Sequence, residues 1–422
     1  MTSGAWADVR ASLRGSPWYL LFTLAGAALA VAQLLMMPQL LDPVQFSIAL
    51  LAFSVTQAML QFGDVGHGNA AMRADLPGAA RQDLRSSGLA IAYTVGLVLA
   101  VAIVLIGVLT GSRADVVGAL AVAAIAGALL MNGKMAANEA IHAGAGSRAM
   151  RLAFSWQNSP KMGQLAGTLT GSGLGVVVAG LVSAMAVTRV RWVRPQAGWR
   201  SLWANCSWWA PGVVVSLCAF LLSWADTYLI ASTLGLAEAG MYQAVYRPML
   251  GVTYVVFPAL SLLQAAENRG DRGRVRVLGC GVILVASAVL GVLSMLLVRH
   301  GSTVWPEYKF PAVLTATVAM TVFMFCGSAI AGALLLVRGA TRWLIIANVA
   351  ALAVMVSGFA GLPVVGINIS PISVATVSLL AWTTAAVMQA VGLCSAPERR
   401  RFRRWPPRRS LRDSSEQRAS RT

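Results

Sequence analysis

Three charged side chains, Lys161, Asp226 and Arg247, stand inside stretches otherwise free of charge. A charge at the centre of a bilayer costs roughly 2.5–3.5 kcal/mol on insertion scales, so each needs a partner or a task. Lys161 follows Trp156-Gln157-Asn158-Ser159-Pro160 and precedes Gly163 and Gln164. Lipid does not tolerate such a polar, Pro-broken run, so the segment is expected to face a water-filled cavity. There the ammonium would neutralise a phosphate as a point charge, or pair with a carboxylate. Asp226 and Arg247 fall at matching depth on consecutive segments. They would form a structural ion pair, or one that breaks on rearrangement and frees Arg247 for phosphate or Asp226 for a coupling cation. Gln243, Arg247 and Tyr254 share one helical face, as do Gln57 and Gln61 at i, i+4. Together with Gln164 these amides and the tyrosine suit a hydroxyl-rich sugar, although hydrogen bonding between helices uses the same residue types.

Other chemistries find no residues to carry them. The three histidines, His67, His142 and His300, are too dispersed for a zinc or acid–base cluster. The five cysteines form no C-x-x-C pair, and no G-x-x-x-x-G-K-[ST] loop exists for a nucleotide. The expectation is therefore a protein that is not an enzyme, with no cofactor, no metal and no nucleic-acid partner.

The elements that must position these residues follow from composition. Of 422 residues, 57% are hydrophobic and 11% charged, where soluble domains carry roughly 25% charge. With a mean hydropathy of +0.70, the chain is expected to be an all-α polytopic membrane protein. Charge-free runs place spans at 15–41, 43–63, 86–112, 116–133, 206–233, 241–263, 277–298 and 310–337. The run 152–188 is broken at the Gly-rich stretch 170–175, and the run 343–397 at the Gly/Pro-rich stretch 361–371, giving twelve spans.

Nearly all of the 33 Lys and Arg residues then lie in loops on the side of the termini, leaving Arg113, Arg299 and Lys309 opposite. The positive-inside rule makes both termini cytoplasmic, in the inner membrane of a cell. The expected organisation is an interfacial helix (1–16), a six-helix lobe (17–188), a cytoplasmic linker (189–205), a second six-helix lobe (206–395) and a basic tail (396–422) resting on anionic lipids.

The lobes carry traces of a repeat. Asp42 and Phe46 stand 196 residues before Glu238 and Tyr242, in each case an acid four ahead of an aromatic at a helix entry. Here the chain resembles the polysaccharide-unit (O-antigen, capsule, exopolysaccharide) flippases of the multidrug/oligosaccharidyl-lipid/polysaccharide exporter superfamily. The likeness rests on Leu41-Asp42-Pro43-Val44-Gln45-Phe46-Ser47, on Phe62-Gly63-Asp64-Val65-Gly66, and on Asp226-Thr227-Tyr228 leading through Gly235 to Ala239-Gly240-Met241-Tyr242 and Arg247. It implies two pseudo-symmetric lobes that rock between inward-open and outward-open states while moving a polyprenyl-pyrophosphate-linked glycan, with other polysaccharide assembly proteins as possible partners. A cation-coupled multidrug exporter of the same superfamily is the alternative, and would need acidic groups in its lumen. A membrane-embedded glycan polymerase would need a long external loop with basic residues, which this sequence lacks.

Overall fold

The computed structural model describes residues 17–63, 78–142, 146–187, 206–253, 256, 259–260, 263, 267 and 272–395. The expected interfacial helix (1–16), linker (189–205) and basic tail (396–422) lie outside the described residues, as does Tyr254.

Twelve α-helices and no strands make up the described residues. They are α1 (Pro17–Leu40), α2 (Pro43–Phe62), α3 (Gly78–Leu109), α4 (Ala114–His142), α5 (Gly146–Thr168), α6 (Gly173–Val187), α7 (Cys206–Thr233), α8 (Leu236–Leu250), α9 (Arg272–Val304), α10 (Ala312–Val337), α11 (Thr341–Val364) and α12 (Pro371–Ser395). Eight contain stretches long and apolar enough to cross a membrane. This is an all-α, polytopic membrane protein.

Both Gly-rich runs break where the sequence predicts. The turn after α5 contains Gly171 at φ 63° and the turn after α11 contains Gly366 at φ 73°, backbone that side-chain-bearing residues avoid. Several helices outrun their charge-free cores. α8 begins at Leu236 rather than 241, because Glu238 sits in its first turn, where an acidic side chain meets the positive end of the helix dipole. α2 is started by Asp42, whose carboxylate accepts the Gln45 N–H at 2.8 Å, with Pro43 at the first helical position.

Helices α1–α6 pack mainly among themselves, and so do α7–α12; α2 and the end of α1 bridge to α7 and α8. Within the first group small residues let helices approach closely: a Cβ on Gly127 would stand 2.5 Å from the Met59 Cβ, and one on Gly96 2.6 Å from that of Ala128. The second group holds most of the large apolar core, centred on Tyr242, Val245 and Met249 of α8 and Val318 and Val322 of α10. α9 buries little of its length and exposes Val277, Leu284 and Val292, a face suited to acyl chains.

The turns after α1, α3, α5, α7 and α9 converge on one face, called here the far face. Gln45 ties three of them together, donating to Asp115 at 3.5 Å and accepting the Gly173 N–H at 2.8 Å.

Candidate functional site

α5 is the least apolar of the spans, and its polar residues have specific places. Pro160 cannot donate a backbone hydrogen bond to the preceding turn. Beside it the Ser159 carbonyl accepts from the Ser183 hydroxyl of α6 at 2.6 Å, and Gly163 lets the Ala179 carbonyl come against the α5 backbone. α1 lies along the same helix, with Gln33 donating to Gln164 at 2.6 Å and, more weakly, to the Lys161 carbonyl at 3.5 Å. Pairing the two amides satisfies polar groups that acyl chains could not.

Lys161, Gln164 and Gln33 line a cavity of about 110 Å³, and Arg247 of α8 enters the same cavity from the other lobe. Phe46 and Phe53 of α2 form part of its apolar wall, and no carboxylate is among its described lining residues. The volume suits a phosphoryl group with a few waters and falls far short of a sugar chain.

Arg247 is held by its neighbours. Its Nε donates to Gln243 at 2.7 Å, and its guanidinium lies 4.1 Å from the Trp224 ring centroid and 5.8 Å from that of Phe53. The direct Asp226–Arg247 ion pair considered from sequence is replaced by a relay. Gln243 sits one helical turn before Arg247 and donates to the Thr227 hydroxyl, which donates to Asp226 Oδ1 at 3.2 Å. Asp226 is 1% exposed and is surrounded by further donors: the Thr227 N–H at 2.6 Å, the Tyr242 hydroxyl at 2.6 Å and the Ser378 hydroxyl of α12 at 3.4 Å. It lies behind the cavity wall, where a buried carboxylate is tolerable because each oxygen is hydrogen-bonded.

The remaining sequence candidates are placed differently. Gln243 is fully buried within the relay and does not line the cavity. Gln57 is half-buried and Gln61 exposed; they continue the Phe46–Phe53 face of α2 one and two turns past the cavity lining. Sequence reasoning missed Gln33, whose signal was an amide in an apolar span, and Trp224, which the apolar run around it does not set apart.

The cavity is sealed from the far face where the lobes meet. A Cβ on Gly240 would overlap the Pro43 carbonyl, so α8 and α2 touch backbone to backbone. The Asp42 side chain takes the Gln45 N–H, leaving the Leu41 carbonyl to accept from the Tyr308 hydroxyl of the α9–α10 connection at 2.9 Å. Trp305 Nε1 donates to the Leu35 carbonyl at 3.1 Å, and the Tyr308 ring meets Phe46 edge-on at 6.0 Å. Burial pushes the Tyr308 phenol well above its ordinary range, keeping it a donor. The lobes also touch at Ser54–Tyr228 (2.7 Å) and, past the cavity at the other end of α2, at Phe62–Phe220 (5.5 Å).

No protein-family model and no curated protein sequence matches the chain. Solved structures do. The lipid II flippase MurJ in an inward closed conformation is similar at a TM-score of 0.70 and 10% identity, over 90% of this chain and 88% of that one. An inward-facing multidrug resistance MATE family transporter is similar at 0.60 and 14%, over 89% and 97%. An outward-facing MATE family transporter is similar at 0.53 and 12%, over 89% and 93%. Two bridged groups of six helices, a cavity between them and these likenesses agree: the chain has the fold of the MOP-superfamily transporters.

Proposed function

We propose that this protein is a flippase that carries a polyprenyl-pyrophosphate-linked glycan from the cytoplasmic to the outer leaflet of the inner membrane for surface polysaccharide biosynthesis. The observation that carries this reading is that Lys161 and Arg247, one from each lobe, line a single cavity with no carboxylate among its described lining residues. Removing a charged group from water costs several kcal/mol per ion. A unit charge at 4 Å returns about 4 kcal/mol at an effective dielectric of 20, so two cations offset the transfer of an anionic head and favour no cationic cargo. The prenyl chain would stay in lipid while the head crosses.

The distribution of Lys and Arg argues that the far face is the outer one. Its seal would then close the cavity outward, in keeping with the higher similarity to the inward-facing MATE transporter than to the outward-facing one. The multidrug-exporter alternative draws support from the same fold, but a cationic drug would meet two like charges in the cavity. The acid of the relay, Asp226, is 1% exposed and engaged by four donors, and its coupling role is part of the proposal only as an anchor.

Lys161→Ala and Arg247→Ala, expressed in a strain dependent on this gene, should each reduce surface glycan display at least tenfold with unchanged protein abundance. Full display by both variants would contradict the assignment, and resistance to cationic drugs on expression would favour the exporter.

A further inference from the structure

We propose that Gln243 is a positioning residue that sets where the Arg247 guanidinium stands on the cavity wall, anchored through Thr227 to Asp226. This rests on the reading that Arg247 meets an anionic headgroup. Arginine has only donors, so the contact from Arg247 Nε fixes which end of the Gln243 amide faces it: Oε1 accepts at 2.7 Å. The amide nitrogen must then point the other way, and it donates to the Thr227 hydroxyl. That oxygen, already an acceptor, turns its proton to Asp226 Oδ1 at 3.2 Å. Every link therefore runs donor to acceptor in one direction, from the cavity cation to the buried carboxylate.

The chain has little freedom to slip. Gln243 and Thr227 are 0% exposed and Asp226 1%, so no water competes for the links. The Tyr242 hydroxyl and the Thr227 N–H, both at 2.6 Å, fix the carboxylate at the far end. On its other side the guanidinium rests on Trp224. Gln243 itself does not line the cavity, so its influence on a ligand passes through Arg247. This reassigns Gln243 from sugar contact to the orientation of a phosphate-binding cation.

The test is a double-mutant cycle on the full-length protein in nanodiscs, with inorganic pyrophosphate as the probe and binding read by calorimetry. Gln243→Leu should weaken binding about tenfold, the scale of a hydrogen bond to a charged group. In the Arg247→Met background the same change should have no further effect, whereas general damage to the lobe would add to the loss. Thr227→Val, which keeps the shape and removes the hydroxyl, should weaken binding about threefold and supplies the test if Gln243→Leu fails to fold. Binding weakened by Arg247→Met but untouched by Gln243→Leu or Thr227→Val overturns the positioning role alone. Binding untouched by Arg247→Met, or no binding by wild type, overturns the headgroup reading and the positioning role with it.

Discussion

Around the cavity, the two lobes place their polar side chains in opposite ways. The first puts them on a surface: α5 and α1 turn Lys161, Gln164 and Gln33 toward the cavity. The second buries them: Asp226, Thr227, Tyr242 and Gln243 are at most 1% exposed, and only Arg247, at the end of their relay, reaches the cavity. The repeat offset of 196 residues sharpens the contrast. Counting forward from Lys161 leads to Ser357 of α11, exposed and bonded to its own helix at Ala353; counting back from Asp226 leads to Ala30, on the cavity wall. At that offset neither charge has a counterpart in the other lobe. A surface charge is available for a ligand, and a buried one serves the structure that aims it.

The largest expected effect is on the buried side. Asp226→Ala would leave the buried Tyr242 and Thr227 hydroxyls without their acceptor and should destabilise the protein by about 3 kcal/mol. Thermal unfolding in detergent would show it, and an unchanged midpoint would dissolve the distinction between the lobes.

Next comes the seal that separates the cavity from the far face. Gly240→Ala places a methyl against the Pro43 carbonyl and should cost the closed state about 2 kcal/mol. With the native cysteines replaced and Ala49→Cys as a reporter on the cavity wall, a membrane-impermeant thiol reagent applied at the far face should label at least tenfold faster. Tyr308→Phe removes one hydrogen bond from the same seal, worth about 1 kcal/mol, and should raise labelling about fivefold. Wild-type labelling in both variants would mean that this contact does not close the cavity.

The smallest effect on stability belongs to the exposed side of the comparison. Lys161→Met should shift unfolding by less than about 1 kcal/mol, because a charge held at a cavity wall stabilises the fold little. A loss as large as that of Asp226→Ala would make Lys161 a structural residue.

Much of the fold is legible in the sequence, because lipid imposes long charge-free runs and glycine marks the turns. The breaks at Gly171 and Gly366 stand in the Gly-rich stretches that the hydrophobic runs required. The polar anomalies at Lys161 and Arg247 are also visible, since a charge in an apolar run stands out whatever surrounds it. What surrounds it depends on helix rotation and lateral neighbours, which hydropathy does not encode. Asp226 and Arg247 looked like partners by depth, yet Tyr242 claims one and Gln243 the other, because adjacent residues on α8 point in different directions. Gln57 and Gln61 had the right periodicity and sit past the end of the cavity. Trp305 and Tyr308 lie in a connection whose role in the seal appears only once the Leu35 and Leu41 carbonyls are seen beside them.

Reconstituted transport tests the cationic cavity most directly. Proteoliposomes containing the full chain and a polyprenyl-pyrophosphate glycan would be assayed for headgroups reaching the opposite leaflet, with wild type compared against the Lys161→Met/Arg247→Met double variant. Rapid exchange by wild type and exchange at the protein-free rate by the double variant is the predicted result; equal rates in the two would contradict the account.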